Sequence, residues 1–204
     1  TKNFPENPES FEKLAQFLAN DIAPLGQQPG HPGYMAYVAG AANPLSAPAQ
    51  ALAMTMNQFT GHFSLAPGLV TLEMEVIRWF TTMMKYPEVT ATGILTGGGS
   101  QANMMALVAA RNKLFAQQSD LSKARFYAST QVHHCIGKAL AFLGFPKECL
   151  RLIPVDDNFS MLSAELEKAI VDDKKNGFTP IVAVGTAGTT NTGSVDPLNG
   201  SPVC

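Results

Sequence analysis

Cysteine is scarce in this chain and odd in number: Cys135, Cys149 and Cys204 are the only three in 204 residues, and none falls in a Cys-x-x-Cys pattern. That spacing argues against a disulfide framework and a cysteine-built zinc site, leaving free thiols as the plain reading. A metal site is not expected. Basic charge is not in excess either. Fourteen Lys and Arg against sixteen Asp and Glu leave a formal net charge of -2. No positive field is therefore available to draw in a phosphate backbone or an anionic bilayer, and nucleic acid is not an expected partner. No run approaches the roughly 20 apolar residues that cross a bilayer. The opening Thr1-Lys-Asn-Phe-Pro-Glu-Asn-Pro8 has neither the charged nor the apolar part of a secretory signal. The expectation is a cytoplasmic chain with no membrane association. Two familiar nucleotide signatures are missing as well: there is no G-x-x-x-x-G-K-[ST], and a G-x-G-x-x-G spacing would need a glycine at Gln101 or beyond.

What is present describes a chain able to bury a core, with 46% hydrophobic and 15% charged residues. Residues 1–48 read as an amino-terminal helix and loop segment: an amphipathic piece around Phe11, Leu14, Phe17 and Leu18, then a Gly- and Pro-rich stretch from Pro24 to Pro48. Residues 49–204 read as a partial α/β domain. Helical spacing recurs over Ala49–Phe59 and Leu69–Met84, where Leu69, Leu72, Val76, Phe80 and Met83 share one broad face and Pro87 supplies a stop. Short apolar runs then alternate with helices. Strands are expected at Gly93–Thr96, Phe126–Ala128, Leu150–Val155 and Ile181–Gly185; helices are expected over Gln101–Phe115, through Lys138 to Leu143, and from a cap near Ser163. Such alternation implies parallel pairing with helices packed on the sheet. The chain stops a few residues beyond its last strand and loop, where another helix would follow, so an incomplete domain is expected.

Three segments carry chemistry. Thr96-Gly-Gly-Gly-Ser-Gln-Ala-Asn103 joins a strand to a helix, so its glycines gather backbone N–H groups and a positive dipole end at one point, with the Ser100 hydroxyl beside them. That suits a phosphate, although on the glycines alone a ligand-free connection fits equally well. Gln131-Val-His133-His134 follows a strand, placing an imidazole near the carboxyl edge of a parallel sheet. Taken singly, each histidine reads more readily as structural. Val184-Gly-Thr-Ala-Gly-Thr-Thr-Asn-Thr-Gly-Ser-Val-Asp196 is a hydroxyl- and glycine-rich loop after an apolar strand.

The order and spacing of these segments resemble the amino-terminal half of the group II pyridoxal-phosphate-dependent amino acid decarboxylases, the family of aromatic amino acid, glutamate and diaminobutyrate decarboxylases. The likeness runs from His31-Pro-Gly-Tyr-Met-Ala-Tyr37 through Ala66-Pro67, Glu73 and Glu75, Gly98-Gly-Ser-Gln-Ala-Asn103 and Gln131-Val-His133 to Gly188-Thr-Thr190 and Asp196. It implies the large domain of the fold type I pyridoxal-phosphate enzymes, a mostly parallel sheet flanked by helices. By the same resemblance Gly98, Gly99 and Ser100 hold the cofactor phosphate, His133 stacks on the ring as the catalytic residue, and Thr190 lies near the ring substituents. Asp196 supports the same loop, and His31 and Tyr37 fall on the substrate side. The implied cofactor is pyridoxal 5'-phosphate, the implied partners are an α-amino acid and a second copy in a homodimer, and the implied reaction releases CO₂ and an amine.

The sequence holds neither a His-Lys dipeptide, where the family carries its cofactor-linking lysine, nor an Asp-Ala-Ala element, where it carries the partner of the ring nitrogen. Both are expected beyond Cys204, so the 204 residues alone are expected to be inactive. Val38-Ala-Gly40 follows Tyr37 where aromatic amino acid decarboxylases carry an aromatic residue and a proline, so the substrate is not readable. A carbon–carbon lyase of the same fold, an aminotransferase and a non-catalytic truncated chain acting only in binding are the competing readings.

Overall fold

In the computed structural model the described residues are 7–38, 40, 42–87, 89–115 and 120–198. Cys204 and the rest of 199–204 lie outside them. The chain divides into two compact units, Thr1–Asn57 and Gln58–Cys204. The expected boundary after residue 48 falls inside the first unit.

In the first unit, α1 (Phe11–Phe17) starts where the Ser10 hydroxyl accepts the Lys13 backbone N–H at 3.3 Å, and it widens into a π-type turn over Leu18–Ile22. The second helix, α2 (Ser46–Met56), begins earlier than expected because Pro48 sits in its first turn, where no backbone N–H is needed. It ends at Asn57, which adopts a left-handed φ of 44°. Neither helix buries a residue within the described chain.

The second unit opens with α3 (Pro67–Met83), whose proline takes the first helical position. It stops before Pro87, as Met84 closes the last turn and Lys85 turns left-handed at φ 56°. Next come α4 (Gly99–Phe115), β1 (Ala124–Ser129), α5 (Cys135–Phe142), β2 (Leu150–Ile153), α6 (Ser163–Lys175) and β3 (Thr179–Val184). The strands form one parallel sheet in the order β2-β1-β3, with Phe126 opposite Leu150 on one side and Val182 on the other. Pro180 has no N–H for the ladder, and the register slips at Arg125/Phe126, opposite it.

Helices cover both faces because neighbouring side chains of β1 point to opposite sides. Phe126 enters a core with Leu107 of α4, Ile136, Ala139 and Leu140 of α5, Phe145 and Cys149. Tyr127 points the other way, into a core with Ile153, Met161 and Leu166, Ala169 and Ile170 of α6. All six residues of β1 are buried. Its Tyr127 hydroxyl donates to Asp173 Oδ2 at 2.8 Å, Arg151 reaches Asp173 Oδ1 at 2.7 Å, and the Arg125 guanidinium lies 3.5 Å from the Phe178 ring centroid. Burial and the Asp173 carboxylate push the Tyr127 phenol well above its ordinary value, which keeps it a donor.

Three expectations need correction. Gly93–Thr96 forms no strand among the described residues: Ile94 and Leu95 are exposed and have no ladder partner. A strand exists only through its neighbour, and this segment lies beside α3 with no strand paired to it among the described residues. The broad apolar face of α3 is not buried here, since Leu72, Phe80 and Met83 are exposed and only Ile77 is enclosed. Ser163 is the first helical residue of α6 and not its cap; Leu162 holds that place without a side-chain bond.

Candidate active site

The phosphate-suited turn forms because Gly98 ends the approach to α4 and its carbonyl accepts the N–H groups of Gln101 and Ala102, both at 3.0 Å. Thr96 Oγ1 also donates to that carbonyl at 3.1 Å, and Gln101 Oε1 folds back to accept the Gly97 N–H at 3.2 Å. The N–H groups of Gly98, Gly99 and Ser100 have no acceptor among the described residues. They are the open donors expected at a helix start, where the dipole adds positive potential. A Cβ placed on Gly98 or Gly99 would meet nothing within 4 Å, so the space above the turn is open to a ligand oxygen.

A second turn lies at the end of β1. Ser129 is fully buried, the Val132 N–H returns to its carbonyl at 3.0 Å, and the His133 carbonyl accepts the Ile136 N–H at 3.2 Å as α5 begins. His133 is half-buried, and its Nδ1 accepts the backbone N–H of Cys135 at 3.3 Å. Its ring centroid lies 4.0 Å from that of His134, tilted by 39°.

Packing of α4 against α5 brings the two turns together. Asn103 Nδ2 donates to Cys135 Sγ at 3.2 Å. Between the helices lies a cleft of about 270 Å³ lined by Ser100, Gln101 and Met104 on one side and His134, Cys135 and Lys138 on the other. His134, not His133, lines this cleft. The charges of His133 and Lys138 hold the His134 imidazole below its ordinary value.

The third segment is a closed loop after β3. Gly188 and Gly193 take φ of 102° and 70°, values that favour glycine, while Gly193 N–H reaches the Thr189 carbonyl at 2.8 Å. Thr189 is buried, with Oγ1 2.6 Å from Thr192 Oγ1; Thr190, next to it, is half-buried at the tip. Asp196 is 2% exposed and both its oxygens are occupied, Oδ1 by the Met161 N–H at 2.9 Å and Oδ2 by the Thr186 N–H at 2.8 Å. It therefore shapes the loop and ties it to the turn before α6. Ser160 and Ser194 add bonds of 2.8 Å to the carbonyls of Val195 and Phe159 across the same junction.

His31 and Tyr37 belong to the first unit. His31 Nδ1 accepts the Gly33 N–H at 3.0 Å, and Tyr37 is exposed with a left-handed φ of 61°. Lys138 and Cys135 escaped the sequence reading as site residues, and Asn103 entered it only as the end of the glycine segment. The signal for Lys138 was its place one turn after His134, on the helix face that returns toward the site.

A parallel α/β sheet with an imidazole at its carboxyl edge and a nearby glycine turn of open N–H donors has the layout of α/β proteins that bind small-molecule ligands at that edge. The sequence matches the pyridoxal-dependent decarboxylase conserved domain over residues 1–204, and the chain belongs to that family. It is 32% identical over 199 residues to the aromatic-L-amino-acid decarboxylase of Bacillus atrophaeus, covering 98% of this chain and 41% of that protein. Its fold is similar to that of Catharanthus roseus tryptophan decarboxylase in complex with L-tryptophan, with a TM-score of 0.88 at 24% identity over 97% of this chain and 43% of the other. Rhodiola rosea 4-hydroxyphenylacetaldehyde synthase matches with the same TM-score of 0.88 at 25% identity, over 97% of this chain and 44% of the other. The chain thus spans well under half the length of these relatives. No helix among the described residues is long and apolar enough to cross a membrane.

Proposed function

We propose that this chain supplies the phosphate cradle and ring-stacking face of a pyridoxal-phosphate-dependent decarboxylase that acts on a small-molecule α-amino acid. The observation that carries the reading is the set of unclaimed N–H groups at Gly98, Gly99 and Ser100, opening onto free space next to the His133 turn. Gly98, Gly99 and Ser100 donate to the phosphate, and the Ser100 hydroxyl adds a further donor. His133 would lie against the ring face and fix its orientation, Thr190 would approach the ring substituents, and Asp196 would act through the loop it ties down. When bound, the cofactor supplies an electron sink for the bond to the departing carboxylate. The chain's residues would orient that bond perpendicular to the ring. His31 and Tyr37 are assigned to substrate binding. The linking lysine is assigned to sequence outside these 204 residues, which contain no His-Lys dipeptide. The working form in this reading is a cytoplasmic homodimer.

The test uses the complete protein supplied with pyridoxal 5'-phosphate and a panel of α-amino acids. CO₂ and amine in equal amounts are expected, and Ser100→Ala is expected to weaken cofactor retention by roughly tenfold, the worth of one charge-assisted hydrogen bond. An aldehyde formed by carbon–carbon cleavage without CO₂, or a strict need for a keto acid, would replace decarboxylation with lyase or aminotransferase chemistry.

A further inference from the structure

Helix α6 ends on an Asn-Gly pair, and that dipeptide carries chemistry of its own. Asn176 is the C-cap, and Gly177 follows it with a left-handed φ of 77°, the conformation in which glycine closes a helix. Both residues are exposed. Asparagine is chemically labile before glycine, because no Cβ shields the next backbone nitrogen from the asparagine side chain. We propose that Asn176 is a site of spontaneous deamidation, held back by the folded end of α6 and reached when that end frays. In the reaction the Gly177 nitrogen, its proton taken by hydroxide, bonds to Asn176 Cγ. The Cγ–Nδ2 bond breaks, and Nδ2 takes a proton from water and leaves as ammonia. Water then opens the cyclic imide at either carbonyl, giving isoaspartate or aspartate. Only water and hydroxide take part, so the inference is independent of the decarboxylase reading.

Both reacting groups are engaged in the folded cap. The Gly177 N–H donates to the Lys174 carbonyl at 3.2 Å, which retains the proton that the reaction must remove. Asn176 Nδ2 donates to the Asp172 carbonyl at 2.9 Å, drawing the side-chain amide back onto the helix. The Asn176 backbone N–H reaches the Asp172 and Asp173 carbonyls at 3.1 Å, and the Phe178 N–H reaches that of Asp173 at 3.0 Å. These bonds all belong to the last turn of a helix, the part that opens at least cost. The residues that follow are the ones a changed cap would disturb. The Phe178 ring centroid lies 3.5 Å from the Arg125 guanidinium and 5.5 Å from Lys123 Nζ, and Thr179 begins β3. Isoaspartate lengthens the backbone by a methylene at this joint. Either product also sets a negative charge at a helix carboxyl end, in the turn that already holds Asp172 and Asp173, where the dipole opposes it.

The experiment incubates the complete protein at mildly alkaline pH beside a synthetic peptide of residues 172–180 and follows isoaspartate at Asn176 by peptide mapping. Mapping also separates this site from Asn199-Gly200, the other Asn-Gly in the sequence. Hydrogen exchange at the Gly177 amide is read in parallel by fragment-resolved mass spectrometry. The protein is expected to react about ten- to a hundredfold more slowly than the peptide, and the Gly177 amide to be protected by the same factor within about threefold, because one opening governs both. Asn176→Asp, which removes the Nδ2 bond and installs the charged product, should speed exchange at Gly177 and Phe178 by about three- to tenfold. A protein that reacts as fast as the peptide, or one with no product at Asn176 after the time that Gly177 exchange sets, would overturn the proposal. Unmoved exchange in Asn176→Asp would remove the side chain from the lock.

Discussion

Asp196 offers the sharpest energetic test of the site, because its carboxylate is nearly sealed and both oxygens are committed. Removing it as Asp196→Ala leaves the N–H groups of Met161 and Thr186 without acceptors in a 2% exposed position. A hydrogen bond to a charged group is worth about 1.5–3 kcal/mol, so the pair amounts to about 3–6 kcal/mol. Water entering the vacated space recovers part of that, and a net loss of about 3–4 kcal/mol is the expected result. Asp196→Asn keeps the shape and one acceptor but sets an amide NH₂ against a backbone N–H, so it should cost about 2 kcal/mol. Hydrogen exchange is the suitable assay because it reads the two amides individually. In Asp196→Ala both should exchange at least about a hundredfold faster, at 1.4 kcal/mol for each factor of ten. Unchanged exchange at Met161 and Thr186, or a loss below about 1 kcal/mol, would refute the assignment of Asp196 as the tie between the β3 loop and the turn before α6.

Asp173 should be equally sensitive: Asp173→Ala takes the shared carboxylate from the buried Tyr127 hydroxyl, from Arg151 and from Arg125 and should cost about 3–5 kcal/mol in urea denaturation, against about 1 kcal/mol for Tyr127→Phe. Finding the two variants equal would show that the carboxylate is not the hub. His134, held low by His133 and Lys138, binds its proton less readily folded than unfolded, so its contribution to stability is present at higher pH and lost as pH falls through the ordinary imidazole range. Lys138→Gln should therefore raise the His134 pKa in an NMR titration, and an unmoved midpoint would contradict the proposed field. Gly99→Ala should leave the fold intact and stabilise it by up to about 1 kcal/mol, since the added methyl meets nothing within 4 Å and alanine favours the helix; a destabilised variant would mean that the turn is closed by neighbours.

The alternation of apolar runs and helices made β1, β2, β3, α4, α5 and α6 readable, because each element's periodicity is a local property and the loops between them are short. Elements whose state depends on a distant partner were not readable. Ile94 and Leu95 have the composition of a strand, but strand pairing is not written in the residues themselves. The spacing of Leu72, Phe80 and Met83 shows which side of α3 is apolar and says nothing about what covers it. At the site, glycine and serine types disclosed the turn of open N–H donors, and the family resemblance singled out His133. The burial of Thr189 beside Thr190, the ring geometry that separates His133 from His134, and the double commitment of Asp196 arise from backbone groups, which every sequence has and no motif displays.

The strand order β2-β1-β3 also has a consequence in time. The middle strand is synthesised first, and its second neighbour begins only at Thr179, a few seconds later at roughly 5–20 residues per second. Until then Ala124–Ser129, buried on both faces in the finished sheet, has at least one bare edge. Parallel pairing across helical crossovers is slow to form. The growing chain must therefore shield its most adhesive segment before the glycine- and threonine-rich loop after β3 has been made, which places the hazard of misassembly ahead of any ligand that could stabilise the product.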